Sequence, residues 1–339
     1  MKLINVWVVM FMVVVCAEQS SASLNEDHNK EAHKALCDLM KAAVGKWGDR
    51  GQGLSEPMKK ALGKTLFGRE EGERVEDLKG KLPGDYEKVV NEVDSRGLAC
   101  GQPYEDSYNE PPPRWSGHSA PHDMVCLCTL GKNGWPLNDN QKATTLCGKN
   151  ANELGGGNDG WSGNGTGITQ IKATWTSVAT PCLDGVGKGD LKEKLKDFLR
   201  KLVQKNTTAN PNRYQLGQGT PGDDHACTGT NNLGVCVMYY NSTATYPKPW
   251  WTELQNAIPE EEEIQKQLAE QEKQKHKEDA QKSDSSQEAV LKSAPTTTNQ
   301  TEQNKHDSNL SDTIRKFSIK SGTPISMTSS WLLGALLLI

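Results

Sequence analysis

No apolar run in this 339-residue sequence is long enough to cross a bilayer. The two greasiest stretches, Val6–Cys16 and Trp331–Ile339, both fall well short of the roughly 20 residues that a spanning helix needs. Aromatic residues make up only 6% of the chain, which argues against one large core spread over its whole length. Charge of one sign is not in excess: 39 Lys and Arg face 43 Asp and Glu, a net of −4. Nucleic acid therefore has no electrostatic reason to bind. Nucleophile and metalloprotease signatures of the G-x-S-x-G and H-E-x-x-H kinds are missing, and nothing in the sequence requires an enzyme or a cofactor. Cysteine is absent after Cys236, so whatever is stapled by disulfides ends before Trp250.

The N-terminus, MKLINVWVVMFMVVVCA, has a basic Lys2, an apolar centre and small residues before a cut. It reads as a secretory signal peptide over residues 1–17, with a second cleavage possibility at 23. Cys16 leaves with it. Eight cysteines remain, Cys37, Cys100, Cys126, Cys128, Cys147, Cys182, Cys227 and Cys236. An even number in an oxidising compartment implies up to four disulfides, among 105 possible pairings. Secretion also gives meaning to five N-x-[ST] triplets, at Asn164, Asn206, Asn241, Asn299 and Asn309.

The mature chain opens on a helical stripe of Ala32, Ala35, Leu36, Leu39, Met40, Ala43, Val44 and Trp47. Cys37 lies within it, so a disulfide should tie this helix to something distant. Ser55 caps a second helix carrying Met58, Ala61, Leu62 and Leu66, which Gly68 stops. Val75, Leu78 and Leu82, then Tyr86, Val89, Val90 and Val93, continue the period on either side of Pro83-Gly84. Gly97 to Gly189 reads as irregular disulfide-held loop, with short strands expected around Asp123 to Thr129. LKEKLKDFLRKLV is a further helix, capped by Asp190 and Glu193, with Leu191, Leu195, Phe198, Leu199, Leu202 and Val203 on one face. A second loop region runs to Tyr246, and Trp250-Trp251 begins a closing helix. These elements make residues 18–258 one mainly α domain, a helical hairpin or bundle of amphipathic pieces with disulfide-held loops. Residues 259–321 are rich in charge, Ser, Thr, Gln and Asn and read as a hydrophilic stalk.

Small residues Ser321-Gly322-Thr323, a short uncharged spacer and the apolar WLLGALLLI follow in that order. This is the arrangement of a GPI-anchor signal, with Ser321 as the attachment residue ahead of Ser318 and residues 322–339 removed. A transamidase has to bring an extended backbone to its nucleophile, which is why side chains at the cut are small.

Three stretches resemble chemical motifs. His118, His122, Cys126 and Cys128 could in principle ligate zinc, but disulfides are the expected fate of both sulfurs in a secreted chain. As neighbours in an extended segment the two cysteines should point the same way and join separate partners. Gly217-x-Gly219-x-x-Gly222 matches a dinucleotide fingerprint by letter, yet no strand is expected before it and no helix after it. Gly63-Lys64-Thr65 reads as the interior of the helix from Ser55. No metal site is expected.

The segments ALCDLMKAAVGKWG from Ala35, DMVCLCTLG from Asp123, KPWWTELQNAI from Lys248 and the closing SSWLLGALLLI together resemble the variant surface glycoproteins of African trypanosomes. The resemblance implies an elongated antiparallel bundle or coiled coil of long helices, with a loop-rich membrane-distal lobe. It also implies a homodimer packed with others into a dense coat that shields the cell from host antibodies, and antigenic variation by gene switching. Cys37 would staple the first helix and Ser321 would carry the anchor at the outer face of the plasma membrane. Many members add a small cysteine-rich C-terminal domain, from which this sequence departs. The alternative is a GPI-anchored receptor on the same scaffold, binding a host serum protein. A secreted hydrolase would need an activity that depends on one of the histidines.

Overall fold

In a computed structural model, the described residues are 26–104, 112–138, 143–157, 160–185, 189–223, 225–241 and 248–290, with side chains described to 277. Helix is the dominant secondary structure. Strand β1 (Glu26–His28) leads into α1 (Lys30–Trp47), whose buried face is Ala32, Ala35, Leu36, Leu39, Met40, Ala43 and Trp47. This is the predicted stripe. Helix α2 (Glu56–Phe67) is bounded by its sequence signals. Ser55 Oγ accepts from the Met58 amide at 3.4 Å, Pro57 sits in the first turn, and Gly68 closes the helix at φ 77°. A Cβ on Gly68 would also lie 1.8 Å from the His118 ring, so both backbone and packing require glycine there.

Three short helices follow, α3 (Val75–Gly80), α4 (Tyr86–Asn91) and α5 (Ser95–Cys100). Val93 was expected on the apolar face. It lies past the end of α4 and is 76% exposed, because the chain turns at Glu92 before the next helical register can point it inward.

The expectation of strands near Asp123 is overturned. Residues Ala120–Cys128 form helix α6, capped by Ser119 Oγ, and all nine are buried. Residues two apart on a helix are separated by about 200° around its axis, so Cys126 and Cys128 face different ways. Cys126 bonds Cys100 and Cys128 bonds Cys147. The segment taken for displayed loop is thus the centre of the core. Strand β2 (Ala143–Leu146) pairs in parallel with β1. Helix α7 (Ile168–Thr174) runs through a π-turn at Trp175–Ala179 into α8 (Thr180–Cys182), which Cys182 ties to α1 through Cys37, 145 residues away.

Helix α9 spans Leu191–Leu199 with Asp190 Oδ1 accepting from the Glu193 amide at 3.0 Å. It ends earlier than its apolar pattern suggests. Val203 instead starts a short strand, β3 (Val203–Gln204), and is 53% exposed. The second loop region is also corrected, since β4 (Arg213–Gln218) and β5 (Val235–Tyr240) form an antiparallel pair inside it, in the sheet order β3-β4-β5. Cys227–Cys236 closes the loop between them. All six residues of β5 are buried, against α6 and the Trp250 end of α10 (Trp250–Val290). Pro259 lies inside that last helix.

The compact, disulfide-held unit extends to Ile264, and a second unit begins at Gln265. The described part of the second unit is α10, whose side chains are mostly solvent-facing, with Leu268 and Gln271 half-buried. Among the described residues no helix is long and apolar enough to cross a membrane.

One buried cation joins the disulfide-rich half together. Arg96, with no exposure, donates from Nη1 to the carbonyls of Thr129 (3.1 Å), Leu130 (3.3 Å) and Trp161 (2.9 Å), and from Nη2 to that of Cys126 (2.8 Å). Three of these acceptors are at the C-terminal end of α6, where carbonyls lack helical partners and the dipole favours positive charge. Its guanidinium also lies 5.2 Å from the Trp161 ring centre. Burial lowers its pKa to about 9, which leaves it protonated at neutral pH. Arg96→Met removes four hydrogen bonds and strands buried carbonyls. Each such group costs about 1–3 kcal/mol, so denaturant unfolding should show a loss of at least about 3 kcal/mol. A loss below about 1 kcal/mol would mean that water replaces the guanidinium.

Candidate functional site: buried polar joints beneath an exposed surface

Chemistry would have to come from the titratable groups of α6, and their geometry shows how each is occupied. His122 Nε2 lies 2.9 Å from the Ala99 carbonyl, which can only accept, so this nitrogen carries the proton. Nδ1 is then the acceptor for the Tyr86 hydroxyl at 2.9 Å. Arg114 stacks over the Tyr86 ring at 4.6 Å and holds Asp85 through two hydrogen bonds of 3.0 and 3.2 Å. The helix does place Cys126 Sγ 3.6 Å from His122 Nε2. Both sulfurs of the sequence cluster are nonetheless consumed, in Cys100–Cys126 and Cys128–Cys147, so no thiolate is available to a metal. The same holds for His33 beside Cys37 and Cys182, the one set of three or more ligand-type side chains among the described residues close enough to share an ion.

Asp123 is the second joint. Its Oδ1 accepts from the Gly117 amide at 2.9 Å, and its Oδ2 from the Tyr239 hydroxyl at 2.9 Å and the Trp250 indole at 2.7 Å. One carboxyl thereby pins α6 to β5 and to the first residue of α10. Burial outweighs these donors and pushes its pKa up to about 7. A third joint is Asn29, in the left-handed conformation at φ 63°. Its Nδ2 donates to the carbonyls of Leu127 (2.9 Å) and Val235 (2.7 Å), while Oδ1 accepts from the Gln218 amide (2.9 Å).

The sequence reading missed Arg96, Asp123 and Asn29. Faint signals exist for the first two. Arg96 has no acidic residue within the following turn, and Asp123 sits immediately before an apolar run.

The other sequence motifs are accounted for. Gly63, Lys64 and Thr65 lie inside α2, and Thr65 Oγ1 donates to the Ala61 carbonyl. Contrary to expectation, a strand does hold Gly217, but β4 turns back as β5 instead of entering a helix. A cleft of about 590 Å³ lies among Ala42, Lys46, Met58, Leu191, Ile258 and Glu261. Its charges are already engaged: Glu261 accepts from the Ser55 amide and faces Lys46 at 3.5 Å, and Lys192 pairs with Glu262 at 2.8 Å.

Outside these joints lie three of the five N-x-[ST] asparagines. Asn164 and Asn206 are exposed, and Asn241 is half-buried with its Oδ1 3.5 Å from the Thr252 hydroxyl. Asn299, Asn309, Ser318, Ser321, the signal segment 1–17 and the anchor signal 322–339 lie outside the described residues.

A family model described as Trypanosomal VSG domain matches residues 44–283, well over half of the chain. The protein belongs to the trypanosomal VSG domain family. A search of curated proteins finds no match. The matched span contains seven of the eight paired cysteines and two of the three buried joints, Arg96 and Asp123. A variant surface glycoprotein is a structural protein of the trypanosome surface coat, in a family that is not enzymatic. The polar groups buried in this VSG domain accordingly hold elements together.

The buried groups set a pH dependence. Burial lowers His122 to about 3 and His28 to about 4, while the unfolded chain titrates near 6.5. These depressed values give stability that is complete above about pH 6.5 and is lost as pH falls toward 4. Asp123 acts oppositely, because the folded state keeps a proton that the unfolded chain has released between about 4 and 7. Burial likewise lowers His33 and His118 and raises Asp94, so four depressed histidines stand against two raised carboxyls. With each unmatched proton worth about 1.4 kcal/mol per pH unit, the net is a fall in stability with acid. Thermal unfolding between pH 7.5 and 4.5 should show Tm dropping with acid. Asp123→Asn should steepen the drop by removing an opposing group. At neutral pH the same change should cost about 1–3 kcal/mol, since an amide NH2 would face the Trp250 indole N–H.

Proposed function

We propose that this protein is a GPI-anchored coat glycoprotein, packed as homodimers into a dense layer that keeps host antibodies from the cell surface, and exchanged by antigenic variation. The observation that carries the reading is the VSG family match over a disulfide-stapled, mainly helical unit. In this reading residues 1–17 leave as the signal peptide and residues 18–258 form the outward domain. Residues 259–321 tether it, and residues 322–339 are exchanged for a glycolipid on Ser321. Helical residues from 259 to 290, within α10, are compatible with a helical start to that tether. No nucleic acid and no cofactor enters the function, and the working surface is the exterior of the stapled unit.

Treatment of intact cells with a phosphatidylinositol-specific phospholipase is expected to release the protein, with a mature C-terminal peptide ending at Ser321. Recovery of Trp331–Ile339 in the mature protein would overturn the anchor. Tight, saturable binding of one serum protein to a form rare on the surface would replace the coat by the receptor alternative.

A further inference from the structure

Helix α1 places a histidine one turn before a disulfide-bonded cysteine, and α6 does the same. Residues four apart share a helix face, so His33 sits beside Cys37 and His122 beside Cys126. In α6 the histidine is locked. It has no exposure, its Nε2 donates to the Ala99 carbonyl, and its Nδ1 accepts from the Tyr86 hydroxyl. In α1 it is free. His33 is half-buried, and among the described residues no hydrogen bond occupies either of its ring nitrogens. One of those nitrogens, Cys37 Sγ and Cys182 Sγ all lie within 4.8 Å of one another. Cys37 is also the most exposed of the eight paired cysteines, at 8%, whereas none of the six outside this bond exceeds 2%.

We propose that Cys37–Cys182 is a thiol-exchange site, opened by a small thiol while His33 carries the proton. The incoming thiol, RSH, gives its proton to His33 and its sulfur bonds to Cys37 Sγ. The Cys37–Cys182 bond breaks, and Cys182 Sγ leaves with the electron pair and takes the proton back from His33. The products are a mixed disulfide on Cys37 and a thiol on Cys182. A second RSH frees Cys37 as a thiol and departs as RSSR, so two small thiols are oxidised as one protein disulfide is reduced. The ring has to be neutral to accept the proton. Burial lowers the His33 pKa, and of the surrounding charges Asp27 raises it, Lys41 lowers it, Asp38 raises it and Lys149 lowers it, for a net value below the ordinary one. Asp38 is itself shared with Lys34 and with Lys194 of α9. Opening the bond unties α1 from α8 only, because Asn29 and the packing against α9 still hold α1. Neither the anchor nor the coat enters this chemistry.

The test uses the full-length protein from a secretory host, native and unreduced, exposed to reduced glutathione across a pH series. Reaction is stopped with acid, free thiols are alkylated, and each cysteine peptide is followed by mass spectrometry. Cys37 and Cys182 should open first, with glutathione trapped on Cys37, while the other six cysteines stay protected. The rate should hold nearly level with falling pH until His33 takes a proton, below about 6.5. His33→Gln should open at least about tenfold more slowly near neutral pH, a modest part of what a positioned acid–base group supplies. Its rate should instead track the glutathione thiolate, changing about tenfold per pH unit below the thiol pKa. That change of profile is one that a merely structural role for His33 would not produce. Opening of another pair before Cys37–Cys182, or of all four together, overturns the site. A His33→Gln protein with the wild-type rate and pH profile overturns the part given to His33.

Discussion

A helix with no solvent-facing side must have both its ends satisfied by protein, and α6 imposes that requirement on everything around it. Water reaches neither its first amides nor its last carbonyls, and leaving either set unpaired would cost several kcal/mol. Ser119 answers at the start. At the end a guanidinium supplied by α5 reaches the carbonyls of Cys126, Thr129 and Leu130 together. Arginine suits this because its donors are fixed in a planar fork, whereas a lysine ammonium would be one compact point charge. The Cys100–Cys126 bond runs between the same two helices, so covalent and polar contacts enforce one arrangement.

The rest of the unit is arranged around that helix. Asp123 draws β5 and the start of α10 onto it, Asn29 draws in the mouth of α1 and the β4–β5 pair, and Cys128 ties it to the segment after β2. Helix α1 is then fixed from its far side by Cys37–Cys182. Short helices and two small sheets can form a stable unit in this way although few of them would hold together alone, since helices this short are marginal without tertiary contacts.

Legibility in the sequence followed exposure. Helices α1, α2 and α9 each have one wet and one dry face, so an apolar period announces them, and Ser55, Gly68 and Asp190 mark their ends. Helix α6 has no wet face. A short run such as Met124–Cys128 then carries no period, and is as compatible with a buried strand as with a helix. Strand β5 escaped notice for the same reason, with all six residues buried. Val93 and Val203 were misplaced because apolar spacing continued past the points where the backbone turned away. Arg96 and Asp123 gave only faint signals as joints because their partners lie up to 127 positions away in the chain.

Most of the buried polar contacts grip backbone, with exceptions at Asp123, which meets the Tyr239 hydroxyl and the Trp250 indole, and at His122, which meets the Tyr86 hydroxyl. Arg96 holds four carbonyls, Asn29 two carbonyls and an amide, His122 a carbonyl, and Tyr240 the carbonyl of Gly101 at 2.7 Å. Arg213 does likewise with the carbonyls of Lys205, Gly222 and Asp223. Every residue type offers a carbonyl, so the acceptor side of such a joint is indifferent to the side chains displayed there. Few positions need to be kept for the scaffold to persist, and the amino acids on its outside are left at liberty to drift.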